Sequence, residues 1–163
     1  NVTIGAPSGS AITLGVVSAS GTFTINGDGA SVDLTDAVTA GSMAVNGTSG
    51  SRVIGDAVVI DATGAVTMSG GTFTQAAGAG SISTAADTTG NISISADGDV
   101  TLMNPISASG TGAGNVTIAT TSGSIITMGE VTSTGTLTID GDGADTSLTA
   151  NVTAGSFDMI GTS

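Results

Sequence analysis

Residues 1–49 read NVTIGAPSGSAITLGVVSASGTFTINGDGASVDLTDAVTAGSMAVNGTS, and residues 115–163 read NVTIATTSGSIITMGEVTSTGTLTIDGDGADTSLTANVTAGSFDMIGTS. The two stretches align without a gap, and 29 of the 49 paired positions are identical. Most differences stay within a chemical class: Leu14 becomes Met128, Phe23 becomes Leu137, Asn26 becomes Asp140. Residues 1–114 thus form one repeat unit, and residues 115–163 are the opening of the next. A repeat has to be found first, because missing its period misreads the whole fold. With no initial Met and a stop partway through the second unit, the expectation is a window on a longer array.

A shorter period lies inside the long one. Asn1–Gly21 holds two alternating runs, Val2-Thr3-Ile4 and Ile12-Thr13-Leu14, separated by the turn-like Gly5-Ala6-Pro7-Ser8-Gly9-Ser10. Alternation of apolar and polar residues with period two is the mark of a half-buried strand. The plan restarts at Thr22, Ser42, Ala65 and Asn91, which divides the first unit into five segments, 1–21, 22–41, 42–64, 65–90 and 91–114. Asn115–Gly135 and Thr136–Gly155 repeat the first two segments, so residues 115–163 hold two coils and the start of a third. No segment shows the i, i+3, i+4 apolar pattern of a helix, and none is expected.

A unit of some 20 residues cannot bury its apolar face alone, but stacked copies cover one another and build a continuous core. The expectation is therefore an all-β parallel solenoid of about 20–26 residues per coil, without helices. Val2, Ile4, Ile12, Leu14, Phe23, Ile25, Val32 and Leu34 should point inward, and Thr3, Thr13, Thr24 and Asp33 outward. Gly and Asn at the corners should supply positive-φ turns. Seven coils would span roughly 35 Å at the usual inter-strand spacing. The rival architecture is a tandem array of immunoglobulin-like β-sandwiches, since the unit 1–114 also matches such a domain in length. The short internal repeat and the absence of Trp and Tyr favour the solenoid.

Composition narrows the function. Net charge is -12, Arg52 is the one basic side chain, and there is no His, Cys, Trp or Tyr. Phosphate backbones and anionic membrane surfaces call for Lys and Arg, so neither is an expected partner. No apolar run approaches the ~20 residues of a spanning helix, so no membrane insertion is expected. Without His, Cys or Tyr the usual general bases and nucleophiles are missing, and an enzyme is not expected. A lone Arg also leaves trypsin a single target, which suits an extracellular fibre.

Three sets of residues carry other chemistry. Asp140-Gly141-Asp142-Gly143-Ala144-Asp145 resembles the first half of an EF-hand loop, so Asp140, Asp142 and Asp145 are candidate Ca²⁺ ligands. The closing Glu of that loop is missing, the first copy has Asn26, Asp28 and Ser31, and Asp-Gly pairs, like Asp97-Gly98-Asp99, are ordinary turn formers. No cofactor is required. Asn1, Asn46, Asn91, Asn115 and Asn151 open glycosylation sequons at strand starts or turns. Thr-x-Thr pairs at Thr22/Thr24, Thr72/Thr74 and Thr136/Thr138 resemble the ladders of ice-binding solenoids, but they are 50 and 64 residues apart, other coils have Thr3 alone, Ser42/Ala44 or Ser93/Ser95, and they read as a broken ladder.

Asn91–Gly110, NISISADGDVTLMNPISASG, followed by Gly114-Asn115-Val116-Thr117-Ile118, resembles the repeat region of filamentous-haemagglutinin-type exoproteins. These are the large bacterial adhesins of two-partner secretion. GSIITMGEVTSTGTLTI (123–139) and AVTMSGGTFTQ (65–75) share the style, and the resemblance covers nearly the whole chain. It implies a right-handed parallel β-helix, extracellular or at the cell surface, serving as a structural or adhesive rod. The partners it implies are further copies of the repeat, in the same chain or end to end in a filament, and a receptor on a host or other cell. The alternative function is a cation- or glycan-binding module of tandem sandwich repeats.

Overall fold

The computed structural model describes residues 1–85, 90–110, 114–121 and 123–161. They form a right-handed parallel β-helix of about seven turns, the hand that parallel crossovers adopt because strands twist to the right. Turn one is β1 (Val2–Gly5), β2 (Ala11–Leu14) and the first half of β3 (Val17–Asn26). The rest of β3 opens turn two, followed by β4 (Ser31–Leu34) and the first half of β5 (Val38–Asn46). Turn three takes the rest of β5, then β6 (Ser51–Ile54) and β7 (Val59–Ala62). Turn four is β8 (Val66–Gly70), β9 (Thr72–Gln75) and β10 (Ser81–Thr84); turn five is β11 (Ile92–Ala96), β12 (Val100–Leu102) and β13 (Ile106–Ala108). Turn six is β14 (Val116–Thr120), β15 (Ile125–Met128) and the first half of β16 (Val131–Asp140). Turn seven runs through the rest of β16, β17 (Asp145–Leu148) and the first half of β18 (Val152–Ile160), whose second half starts another turn.

Each turn has three faces. The seven strands β2, β4, β6, β9, β12, β15 and β17 make one sheet, the second face. The first and third faces merge into an 11-stranded sheet, because β3, β5, β16 and β18 each continue around the corner between them. Glycine permits that corner. A Cβ on Gly41 would lie 2.8 Å from the Ser20 carbonyl oxygen, and one on Gly155 would lie 2.8 Å from that of Thr134. No real side chain tolerates such an approach to backbone, so these positions carry none.

Every pairing among the described strands is parallel, and register follows the short repeat: Val2 pairs Phe23, Phe23 pairs Met43, Met43 pairs Val66, Val66 pairs Ile92, Ile92 pairs Val116, Val116 pairs Leu137 and Leu137 pairs Phe157. These residues form one column of the core. Val38, Ile60, Ile82, Ile106 and Val131 form another on the third face. All except those of the end turns are buried, each contributing about 1.5–3 kcal/mol by leaving water. Phe23, Ile25, Val32 and Leu34 are buried as the alternation requires, whereas Val2 is 42% exposed and Ile4, Ile12 and Leu14 are half-buried. Turn one is covered on one side only, so its inward residues keep part of their surface.

Two expectations are corrected. The tandem-sandwich alternative fails, because sandwiches are built from antiparallel sheets and no antiparallel pair occurs among the described strands. Positive-φ corners are made by Gly9, Gly29, Gly50, Gly123, Gly143 and Gly161, and among the described residues the one non-glycine is Asp142, not an Asn. The hydroxyl ladder is also less broken than sequence spacing suggests. On the first face the outward column runs Thr3, Thr24, Ala44, Thr67, Ser93, Thr117 and Thr138.

Candidate functional site

The most unusual chemistry in the rod is at Arg52. On the second face Val32, Arg52, Phe73, Val100 and Ile126 occupy one inward column. Arg52 thus holds a core position and is only 3% exposed. A buried guanidinium needs acceptors for its N–H groups, and backbone carbonyls supply them. Nε donates to the Ser69 oxygen at 2.9 Å, Nη1 to the Ala30 oxygen and, at 3.4 Å, to that of Ser51, and Nη2 to the Ser49 oxygen at 3.3 Å. These carbonyls come from turns two, three and four.

Room for the side chain comes from two glycines at the adjoining corner. A Cβ on Gly47 would stand 2.6 Å from Nη2, and one on Gly70 would stand 2.8 Å from Cγ and Nε. Burial pushes the Arg52 pKa down, and the charge of Asp28 partly offsets that. A cleft of about 200 Å³ is lined by Asp28, Gly47, Thr48, Ser69, Gly70 and Asp97, among others, and so shares Gly47, Ser69 and Gly70 with the surroundings of Arg52. The Thr48 hydroxyl and amide donate to Asp28 Oδ1 at 2.7 and 3.0 Å, and the hydroxyl bond is the main cause holding the Asp28 carboxyl below its ordinary value. The cleft therefore offers two carboxylates and short hydroxyls, which are acceptors for a cation or for sugar hydroxyls.

The calcium candidates lie elsewhere. Asp140 ends β16, Asp145 opens β17, and Asp142 stands between them with φ of 39°. The Gly143 amide donates to the Gly161 carbonyl, and the Ala144 amide donates to Gly141 at 2.8 Å, so the backbone of this turn is tied. Among the described residues no three acidic side chains are grouped to hold a metal ion. Of the other carboxylate pair, Asp99 accepts from the Ile125 amide at 2.9 Å, and Asp97 lines the cleft.

The sequon asparagines divide by what their side chains do. Asn1 Oδ1 accepts from the Thr22 amide at 2.9 Å, Asn91 Oδ1 from the Asn115 amide at 3.0 Å, and Asn115 Oδ1 from the Thr136 amide at 2.8 Å. Each joins one turn to the next. Asn46 is exposed, with Nδ2 donating to Asn26 Oδ1 at 2.9 Å. Asn151 is exposed in the turn before β18.

Sequence reasoning missed Arg52 as a core residue. The signal was present in the alternation of Ser51-Arg52-Val53-Ile54, which puts Arg52 and Ile54 on the same face. It also missed Gln75, fully buried in line with Ile54 and Leu102, with neither amide atom hydrogen-bonded. No protein-family model, curated protein or solved structure matches this chain. What the geometry establishes is a β-helical repeat protein, compatible with a structural rod.

Proposed function

We propose that the chain is part of an extracellular or cell-surface rod of the filamentous-haemagglutinin type, which spans distance and carries adhesive parts to a receptor on another cell. The observation that carries the reading is the parallel ladder of the described strands, with its aliphatic core, through about seven turns. Such a stack resists extension along its axis, because parting two turns breaks a whole row of backbone hydrogen bonds together with the apolar contact beneath. Further copies of the repeat, in the same chain or end to end, lengthen the rod. The acidic surface keeps neighbouring rods apart by charge repulsion.

A second reading rests on the cleft beside Gly47 and Gly70. Its Asp28 and Asp97 carboxylates favour a module that takes a cation or a glycan. It differs from the rod in requiring a ligand.

Two measurements test the rod. Oriented fibres of the native protein should give a meridional reflection near ~4.8 Å with a longer period of about 24 Å for five turns. Intact cells carrying the protein should bind an antibody raised against this chain and lose adhesion when the rod is deleted. Labelling seen only after lysis, or adhesion unchanged by deletion, would overturn the extracellular adhesive reading.

A further inference from the structure

Arg52 is the one basic residue in 163, and so the one place where an arginine- or lysine-specific protease could cut. In an ordinary acidic protein such a residue would be a solvated surface group. Here its side chain is 3% exposed, and its three nitrogens donate to carbonyls of Ala30, Ser49, Ser51 and Ser69 across three turns. The backbone is closed as well. β6, which contains the Arg52–Val53 bond, is an inner strand of the seven-stranded sheet, paired with β4 on one side and β9 on the other.

We propose that Arg52 is a clasp joining turns two, three and four, and that the Arg52–Val53 bond is a cryptic cleavage site for trypsin-like proteases, available only when those turns part. A trypsin-like enzyme must seat the guanidinium in its own pocket and lay several flanking residues along its cleft. Neither is possible while the guanidinium points into the core and both edges of β6 are paired. Opening the ladder here frees both at once. Water then adds across the bond, leaving a carboxylate on Arg52 and an amine on Val53. The rod is therefore resistant to these enzymes while stacked and is severed at a defined point once pulled or melted open.

Gly70 makes the clasp separable from the fold, because the nearest atoms a Cβ there would meet all belong to the Arg52 side chain, whereas one on Gly47 would also stand 2.8 Å from the Gly27 carbonyl oxygen. Gly70→Ala would put a Cβ 2.8 Å from Cγ and Nε of Arg52, forcing the side chain to move. Arg52→Lys keeps a tryptic residue but replaces the planar multi-carbonyl donor with a single ammonium. Glu130 is exposed in the turn before β16 in turn six, and it provides an independent reporter through a glutamate-specific protease.

The test is timed digestion of the full chain, with fragments identified by mass. In the folded chain trypsin should cut at Arg52 at least about a hundredfold more slowly than in a synthetic peptide of residues 47–57, since cleavage tracks the population of the opened form. Gly70→Ala and Arg52→Lys should each speed that cut by about tenfold or more, while cleavage at Glu130 stays as in the unaltered chain. Rapid cutting of the folded chain at the peptide's rate would overturn the cryptic site. If Gly70→Ala raises cleavage at Glu130 equally, that variant has unfolded the rod and the decision passes to Arg52→Lys. An Arg52→Lys rate unchanged from Arg52 would overturn the clasp.

Discussion

Asn115 Oδ1 accepts a 2.8 Å hydrogen bond from the Thr136 backbone amide, and Asn1, its counterpart in the first copy of the repeat, makes the same bond to Thr22 at 2.9 Å. At this corner the ladder slips register, between Ala19 and Thr22 and again between Ser133 and Thr136. The amide that follows the slip needs an acceptor from elsewhere, and the asparagine one turn below provides it. Asn115→Ala should therefore cost about 1 kcal/mol in urea unfolding, whereas Asn151→Ala, at an exposed turn, should stay within about 0.5 kcal/mol. In a host that glycosylates sequons, site-resolved mass spectrometry should find glycan at Asn46 or Asn151 in preference to Asn115. High occupancy at Asn115 in folded protein would contradict the structural role given to that side chain.

Gln75 brings a primary amide into an aliphatic column between Ile54 and Leu102, and both its amide atoms are without a partner. An unsatisfied buried polar group costs about 1–3 kcal/mol. Gln75→Met fills nearly the same volume without that cost and should raise stability by roughly that amount, read as a higher denaturation midpoint with an unchanged slope. A lower midpoint would mean that the amide has a stabilising partner, such as a buried water.

Asp28 gives the rod an acid-sensitive contact between turns two and three. Hydrogen bonds from the Thr48 hydroxyl and then its amide are the leading causes that hold the Asp28 carboxyl below its ordinary value of 3.8. A folded pKa below the unfolded one means that the contribution is complete above the unfolded value and is lost as pH falls through the folded value. The contact should thus be indifferent to pH from neutrality down to the ordinary carboxylate range and fade only below it. Carboxyl NMR should show Asp28 titrating below 3.8 in the folded chain, moving upward in Thr48→Val. A midpoint at or above the ordinary value would discard this account.

Asp142 holds φ of 39° in the turn that leads into β17, a conformation that suits glycine better than a residue with a Cβ. Asp142→Gly should be neutral or stabilising by up to about 1 kcal/mol. Thermal melts with and without Ca²⁺ distinguish a backbone device from a cation site formed by Asp140, Asp142 and Asp145. We expect the same midpoint in both. A calcium-dependent rise that disappears in Asp142→Gly would assign the turn to the cation.

Much of the fold was legible in order along the chain. Period-two alternation marks a strand wherever it occurs, since successive side chains point to opposite faces. Repetition of the whole pattern at a short, nearly constant interval requires like strands to stack. Parallel pairing of Phe23 with Met43 and of Val116 with Leu137 follows from that stacking. The same reasoning found the sequon asparagines and the Asp-rich turn as local strings, but not what their side chains touch.

The sequence by itself determined a coiled, parallel, aliphatic-cored repeat, because strand period and repeat length are properties of neighbouring residues. Only the tertiary structure decided what each special side chain does. Arg52 is a core residue because Gly47, just before β6, and Gly70, at the end of β8, leave space beside it and carbonyls of three turns accept its protons. The hydroxyl column from Thr3 to Thr138 is continuous in space, apart from Ala44, although a full turn of chain separates each member from the next. Contacts between turns depend on which side chains the stacked turns bring together, and residues adjacent in sequence do not display that.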